Sequence, residues 1–222
     1  MRKLFVTASL LPLLAVPGIA SADTSLGLRG GTLGGGVELS HAFGQRTGVR
    51  LNADGYNFKQ TSTYDNIDYD MKLKLRTASL MGDWFPFANN FRISAGAMFN
   101  GNKLTLKGLP TNGFYTINGI PYSTAQIESL DAAVDFNKAA APYFGIGYGR
   151  AIKSGLSLIF DAGVMFQGSP KSKIDVTCGP LAPALQCAQA QSDAQAEQAR
   201  LDESLHSYKY YPVISLGLAY TF

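Results

Sequence analysis

Long hydrophobic runs are missing from most of this 222-residue sequence. After position 22, no stretch approaches the roughly 20 consecutive apolar residues that a membrane-spanning helix needs. This absence excludes a protein that crosses a membrane with helices. It leaves open a closed β-barrel, the other kind of structure that satisfies all its backbone hydrogen bonds inside a bilayer.

Net charge is also small. The sequence has 19 Lys and Arg against 16 Asp and Glu, a formal net charge of +3. Without Arg2 and Lys3, the balance is 17 to 16, or +1. A balance so close to zero argues against a nucleic-acid partner, because such partners need a strongly basic surface.

Cysteine occurs only twice, at Cys178 and Cys187. An even pair within one loop of an exported protein predicts a disulfide. In the chain-entropy model, closing a loop of about ten residues stabilises the fold by roughly 2.5–3 kcal/mol. A metal site would need further ligands, and no histidine cluster is nearby, so we predict no metal site.

The first 22 residues have the three parts of a secretory signal peptide. Arg2 and Lys3 are positively charged, residues 4–15 are apolar, and Ala20-Ser21-Ala22 matches an A-x-A cleavage site. A retained anchor is the alternative, but the apolar run is too short to span a bilayer. We therefore predict a signal peptide at 1–22 and a single domain at 23–222.

Alternation of apolar and polar residues is abundant, and it is clearest in the last fifteen residues. Every second residue from Tyr208 to Phe222 is apolar, with aromatic rings at both ends, and the residues between them are mostly small or polar. A strand directs alternate side chains to opposite faces. Aromatic residues on either side of an aliphatic band are typical of a strand that faces lipid.

Alternation elsewhere predicts an all-β fold, a transmembrane antiparallel up-and-down β-barrel of eight strands. Bacterial single-chain barrels have an even number of strands, although the glycine-rich segment 24–43 could also form one bent strand. Short turns alternate with long connections, as periplasmic turns and extracellular loops do, which places both termini in the periplasm. The predicted strands are at about 24–31, 34–43, 48–61, 67–86, 91–107, 133–149, 156–167 and 208–222.

Four local features are predicted as well. The apolar parity of the fourth strand changes near Arg76, which predicts a β-bulge. Asn118-Gly119 predicts a tight hairpin, and residues 123–130 could form one capped helical turn. A capping box predicts a short surface helix over 192–205 in the last long loop, 168–207.

The inward positions of the strands carry charges of both signs. One interpretation is that these charges pair and fill the interior, because eight strands leave room for little more than side chains and buried charges need partners. The other is a narrow pore for small zwitterions, with most room beside the small residues Ser215, Gly217 and Ala219. The predicted lumen charge layer is Arg29, Glu38, Arg50, Asp54, Asp83, Arg92, Asp135 and Asp161, with Lys72, Lys74 and Arg76 near the outer mouth.

An enzyme is not favoured. Some small outer-membrane barrels modify lipid A with a histidine and a serine or acidic partner on the barrel wall. His41 adjoins Ser40, but adjacent residues of a strand point to opposite faces and cannot form a dyad. A partner for His41 from the third strand has no support in the sequence, and His206 falls in a loop. We predict no catalytic residue and no cofactor.

Two resemblances follow from these segments. The end of the chain, with Leu218, Tyr220 and Phe222, resembles the C-terminal signal by which outer-membrane barrels are recognised by the barrel-assembly machinery. Five segments in order resemble the CarO-like group of small Gram-negative outer-membrane barrels. They are DYDMKLKL (68–75), YTINGIPY (115–122), APYFGIGYG (141–149), GSPK (168–171) and YKYYPVISLGLAYTF (208–222).

The resemblance to the CarO-like group implies an eight-stranded barrel in the bacterial outer membrane. It also implies a role in the uptake of small, often basic, amino acids. No site residue is transferred, and the insert with Cys178 and Cys187 departs from the group. The sequence thus predicts a monomeric barrel in outer-membrane lipid that acts as a narrow channel for small polar or zwitterionic solutes. The alternative is a closed structural or adhesive barrel whose extracellular loops bind a partner.

Overall fold

The computed structural model of the chain describes residues 23–64, 67–136, 140–150, 154–180 and 182–222. The predicted signal peptide, 1–22, lies outside the described residues, as does part of the turn predicted after the sixth strand. Within the described residues there are thirteen strands and one helix. The strands are β1 (Thr24–Gly31), β2 (Gly34–Phe43), β3 (Thr47–Tyr64), β4 (Ile67–Trp84), β5 (Phe91–Asn100), β6 (Lys103–Leu109), β7 (Phe114–Ile117), β8 (Ile120–Ser123), β9 (Ile127–Asp135), β10 (Ala141–Tyr148), β11 (Gly155–Met165), β12 (Lys171–Cys178) and β13 (Tyr211–Thr221), and the helix is α1 (Ala184–Leu205).

Eight strands close into an antiparallel barrel in the order β1-β2-β3-β4-β5-β10-β11-β13. The last strand pairs back to the first, from Ser25 opposite Thr221 to Gly31 opposite Ser215. The eight-stranded barrel is confirmed. The glycine-rich segment forms two strands, β1 and β2, rather than one bent strand.

The alternating sequence of β13 shows how each strand serves two environments. Val213 and Ala219 are buried in the lumen, whereas Leu216 and Leu218 are half exposed on the outer wall. Apolar side chains form an exposed band around the barrel. Such a band is stable only where it meets something other than water, and a bilayer is the surrounding that an aromatic-bordered barrel fits.

One end of the barrel has the short connections between strands, together with the start of β1 and the end of β13. It is called here the turn end. Beyond the other end, β3 and β4 continue past the barrel and pair with a further set of strands. There β6, β9 and β12 add to β4, giving the sheet order β12-β9-β6-β4-β3. This sheet is called the extension. The predicted fifth and sixth strands are therefore each divided in two, between the barrel and the extension.

The β-bulge predicted near Arg76 is wrong. The pairing of β3 with β4 runs without a shift from Thr47 opposite Trp84 to Tyr64 opposite Ile67. The apolar residues of β4 change from odd to even positions because the surroundings of the strand change. The register of its pairing with β3 stays the same. Within the barrel the apolar side chains face outward, and in the extension they lie on the inner face.

The segment between β6 and β9 contains the predicted hairpin. Strands β7 and β8 are joined by Asn118 and Gly119, both with positive φ, 52° and 78°. The hairpin is confirmed. The helical turn predicted at 123–130 is wrong, because Ile127 already begins β9 and pairs across from Cys178. Ile127 belongs to the buried cluster beneath the hairpin, and a strand buries its side chain there.

The last long connection is more ordered than predicted. The disulfide between Cys178 and Cys187 is confirmed and joins the end of β12 to the first turn of α1. The helix in this connection is also confirmed, although it begins eight residues earlier, at Ala184 rather than 192. The region predicted as loop contains β12, whose Ile174 and Val176 pack against the cluster beneath the hairpin.

Helix α1 covers the free edge of β12 with polar side chains. The Ser172 backbone N–H donates to Asp202 Oδ1 at 2.6 Å, and the Ile174 N–H donates to Gln198 Oε1 at 3.0 Å. The Tyr122 hydroxyl of the hairpin donates to Asp193 on the same helix. These bonds satisfy edge groups that would otherwise be open to another strand. No helix in the described part of the chain has both the length and the apolarity to cross a membrane.

Candidate functional site in the barrel lumen

Seven charged side chains meet inside the barrel. They come from six of its strands, and each is buried, with a relative exposure between 1% and 8%. Alternation places them there, since each lies on the inward parity of a strand whose outward residues are apolar. They are Arg29, Glu38, Arg50, Asp54, Asp83, Arg92 and Asp161, and are called here the lumen network.

Arg50 lies at the centre of the lumen network. Its Nε and Nη2 donate to the two carboxylate oxygens of Asp83, at 2.6 and 3.2 Å. Its Nη1 donates to Glu38 Oε2 at 3.1 Å and to Asp161 Oδ2 at 3.0 Å. The guanidinium also donates to Ser94 Oγ at 3.1 Å. Bidentate, charge-assisted bonds of this kind are among the strongest hydrogen bonds in proteins.

The bond between Arg50 and Asp161 crosses the whole barrel. Arg50 lies on β3 and Asp161 on β11, which are four strands apart in either direction around the closed sheet. Asp161 also accepts from Arg92 Nη2 at 2.9 Å and lies 3.6 Å from Arg29 Nη1. Arg29 Nε lies 3.1 Å from Asp54 Oδ1 on the opposite side of the network. The network therefore occupies the full cross-section of the lumen.

Glycines on neighbouring strands make room for these side chains. A Cβ at Gly147 would lie 2.7 Å from both Arg92 Nε and Asp161 Oδ1. A Cβ at Gly217 would lie 3.1 Å from the Cβ of Arg29. A Cβ contact of 2.7 Å is shorter than real side chains make, and one of 3.1 Å is tighter than most. The network is therefore packed against β10 and β13 at positions that have no side chain.

The room predicted beside Ser215, Gly217 and Ala219 is absent, which corrects that prediction. Ser215 and Ala219 are buried, and Arg29 takes the space next to Gly217. The wall has small residues because β1 approaches it closely, not because a solute path passes over it.

Apolar side chains close the lumen between the network and the extension. This layer is packed from five strands and from the turn between β1 and β2. Its three methionines are buried, with exposures of 1% or less. Flexible methionines fill irregular gaps well. The layer consists of Leu33, Met81, Met98, Ala141, Tyr143, Met165 and Val213.

The turn end of the lumen is also closed. Arg92 Nη1 donates to the carbonyl oxygen of Gly149 at 2.5 Å. Arg150 donates to the carbonyl oxygen of Ala88 at 2.6 Å, and its guanidinium lies 5.2 Å from the centre of the Phe85 ring. Between these groups and Arg50 there is a cavity of about 10 Å³, roughly the space that a single water needs.

Four residues predicted for the charge layer lie elsewhere, which corrects their placement. Lys72, Lys74 and Arg76 are exposed on the outer face of the extension, because the unbroken register of β4 keeps even-numbered residues facing outward. Asp135 is exposed on β9, where its carboxylate lies 3.3 Å from Lys103 Nζ. Their charge was a poor guide to the lumen, because a strand that continues beyond the barrel can carry charged side chains on its outer face.

His41 does not form a dyad with Ser40. Its Nδ1 lies 2.9 Å from Thr24 Oγ1, and its ring packs edge-on against Phe43. Ser40 Oγ instead bonds Ser25 Oγ on β1, facing the lumen. Among the described residues, no group of His, Cys, Asp or Glu side chains is arranged to hold a metal ion.

Some residues of the lumen lie outside the predicted charge layer. Ser94 bridges Arg50 and Asp83, donating to Asp83 Oδ1 at 2.5 Å. Its inward parity on the fifth strand was the available signal. The methionine layer gave no signal, because Met81 and Met98 are apolar residues on a polar face.

Comparison with known proteins supports the fold. No protein-family model matches the chain, and no curated protein matches it. The crystal structure of Acinetobacter baumannii CarO2 superposes with a TM-score of 0.56 at 18% identity, covering 90% of this chain and 98% of that one. The crystal structure of A. baumannii CarO gives 0.55 at 17% identity, covering 89% and 97%. At this identity the likeness concerns the fold, and the CarO-like barrel fold is confirmed.

Proposed function

We propose that this chain, a barrel of the outer-membrane type with a CarO-like fold, is closed at rest and acts through its extension. The ion pair between Arg50 and Asp161 carries this proposal, because it joins opposite walls of the barrel at 3.0 Å. A solute would have to separate that pair and also pass the apolar layer. Breaking a buried pair costs on the order of 3–5 kcal/mol, so spontaneous opening is rare.

The extension supports a role in binding. Its inner face is apolar, and α1 and the hairpin cover it only near β9 and β12. Nearer β3, Tyr56 is 52% exposed. Among the described residues, β3 beyond Gly55 pairs with β4 on one side only. An open strand edge beside apolar side chains is a surface on which a protein segment can add a strand.

A narrow channel for small polar or zwitterionic solutes, such as amino acids, is the second candidate. One observation favours it: the lumen network holds three guanidinium groups and four carboxylates in a single layer. A zwitterion carries one positive and one negative group. These two groups could replace the partners of one ion pair in the network at a time. The cavity beside Arg50 and Arg92, about 10 Å³ in volume, has room for about one water molecule next to these groups.

Conductance of the refolded protein in planar bilayers separates the two functions. A barrel closed at rest gives no ohmic steps, and liposomes that contain it take up labelled amino acids no faster than empty liposomes. Asp161→Ala by itself should also give no steps, because the apolar layer with Met81, Met98 and Met165 still closes the lumen. Ohmic steps in the unaltered protein that change with Arg92→Ala, together with solute uptake, would establish the channel and end the closed-barrel proposal.

Location and assembly complete the proposal. We place the barrel in the bacterial outer membrane as a monomer, with both termini in the periplasm and the extension outside. The exposed apolar wall supports contact with lipid. Leu218, Tyr220 and Phe222 are each about half exposed on that wall, so they are accessible to barrel-assembly machinery that recognises the closing strand.

A further inference from the structure

The outer face of the extension has a dense group of cations next to the barrel. They lie on three adjacent strands, β3, β4 and β6, and each is exposed. Neighbouring strands are about 4.8 Å apart, and residues of the same face are about 6.6 Å apart along a strand. Their backbones therefore share a small area of sheet. The group consists of Lys59, Lys72, Lys74, Arg76 and Lys103, and is called here the basic patch.

The strand register places like charges directly opposite each other in the basic patch. Lys59 is opposite Lys72, and Lys74 is opposite Lys103. Like charges opposite each other destabilise a sheet. Two such pairs side by side concentrate positive charge that the register of the sheet does not balance.

Carboxylates on the same face offset only part of this charge. Asp135 lies 3.3 Å from Lys103 Nζ. Asp70 and Asp131 are opposite Lys107, farther from the barrel. The positive excess is thus greatest on the barrel side of the extension.

The position of the basic patch relative to the apolar wall identifies the anion. Arg76 is two residues from Ala78, which faces outward and is opposite Phe99. Phe99 is 54% exposed on the wall, and Leu80 and Leu51 follow it towards the barrel centre. Cations that begin where an apolar wall ends lie at the height of lipid headgroups.

We propose that the basic patch binds the phosphate groups of a phosphorylated glycolipid in the outer leaflet. Its acyl chains lie against the wall around Leu80 and Phe99, and its phosphates contact Lys72, Lys74 and Arg76. Lysine and arginine both bind phosphate through charge-assisted hydrogen bonds. This inference rests on the proposed outer-membrane location with the extension outside. A soluble anion is disfavoured, because it would gain nothing from the adjoining apolar wall.

Binding of bisphosphorylated lipid A to the detergent-purified full chain tests the proposal. The variant is K72Q/K74Q, and the matched control is K171Q/K173Q. The control lysines are also two residues apart on the outer face, but each has a carboxylate partner, Asp202 at 4.0 Å and Asp175 at 2.7 Å. Both variants remove two charges from exposed positions of the same sheet.

We expect K72Q/K74Q to weaken lipid A binding about thirtyfold, at roughly 1 kcal/mol for each lysine. K171Q/K173Q should stay within about twofold of the unaltered chain. Lipid A without phosphates, phosphatidylglycerol and inorganic phosphate should all bind much more weakly to the unaltered chain.

Equal losses in the two double variants would overturn the proposal, as would equal binding of dephosphorylated lipid A or phosphatidylglycerol. Competition by inorganic phosphate at concentrations equal to those of lipid A would show a simple anion site and overturn it as well. Failure of the closed-barrel proposal would appear separately, as conductance in the bilayer experiment. Failure of the outer-membrane location would appear in cell fractionation.

Discussion

Asp161 joins the three arginines of the lumen network. Its carboxylate lies 2.9 Å from Arg92, 3.0 Å from Arg50 and 3.6 Å from Arg29. Without it, Glu38, Asp54 and Asp83 would still balance the three guanidinium groups in number, but Arg92 would lose the carboxylate that it contacts. A buried charge that loses its partner is far more costly than an exposed one.

Asp161→Ala should therefore destabilise the barrel by about 3–5 kcal/mol. Asp175→Ala is the matched control, because Asp175 is paired with Lys173 but exposed, and such pairs contribute about 0–1 kcal/mol. The measurement is urea unfolding of each variant from lipid vesicles. A loss below about 1 kcal/mol for Asp161→Ala would show that the pairs of the lumen network contribute little to stability.

Gly147 tests how tightly the lumen is packed. A single methyl group there would meet Arg92 and Asp161 at 2.7 Å. Gly147→Ala should cost about 1–3 kcal/mol, as overpacking does. Gly30→Ala is the control, because a Cβ at Gly30 has nothing within 4 Å and alanine suits a strand at least as well as glycine. Equal stabilities of the two variants would contradict a filled lumen.

Residue identity predicted the lumen well where a strand belongs to the barrel and poorly where it belongs to the extension. Arg50 and Asp161 were predicted from their inward parity, and the structure joins them. Lys72 and Lys74 are cations like Arg50, and their strand alternates in the same way, yet they face outward. Parity gives two faces, and only the surroundings decide which face is inside.

At the scale of elements, the extension was the hardest part to predict. The hairpin at Asn118-Gly119 was predicted because two residue types with positive φ define such a turn. The sequence predicts a loop where β12 forms, because charged residues alternate there with only a few apolar ones. Its pairing depends on β9, which is distant in sequence, and no local pattern reports that contact.

Helix α1 should separate from the extension in acid. The hydrogen bond from Tyr122 holds the pKa of Asp193 below its ordinary value of 3.8. Bonds from the Ser172 hydroxyl lower the pKa of Asp202 in the same way. A carboxyl whose pKa is depressed by folding stabilises the fold above its unfolded pKa, and that stability is lost as pH falls through the folded value.

Hydrogen exchange of α1, corrected for intrinsic rates, measures this effect. Protection over 184–205 should be constant from pH 7 down to about the ordinary carboxyl range and should fall below it, while β13 stays protected. Asp193→Asn with Asp202→Asn should remove the pH dependence. Protection that falls equally in β13 would mean that acid unfolds the barrel rather than the helix.

At the scale of the whole molecule, the apolar wall determines where the barrel sits. Leu216 is 56% exposed near the middle of the outward band of β13. In a bilayer, Leu216→Arg should cost about 2–4 kcal/mol, as arginine does near the midplane of a barrel. Thr177→Arg, at an exposed position of β12 in the extension opposite Ser129, should change stability by less than about 0.5 kcal/mol. A similar cost for both in vesicles would contradict the proposed depth of the barrel.

Strand number and closure followed from the sequence, because alternation and turns recur in every barrel strand. Whether the lumen is open did not. The same inward charges fit a paired network and a pore, and the difference depends on distances across the barrel. Gly147 leaves room for the side chains of Arg92 and Asp161, and Gly217 leaves room for the close approach of β1. A glycine in a sequence does not show what occupies the space beside it.

The bond between Arg50 and Asp161 also has a mechanical consequence. It links opposite walls, so an elliptical deformation of the barrel must stretch it along one axis or compress the packed network along the other. Bilayers exert lateral pressure that changes with temperature and lipid composition. A barrel joined through its centre keeps a circular outline under that pressure, and the height of its apolar wall stays constant while the surrounding lipid adjusts.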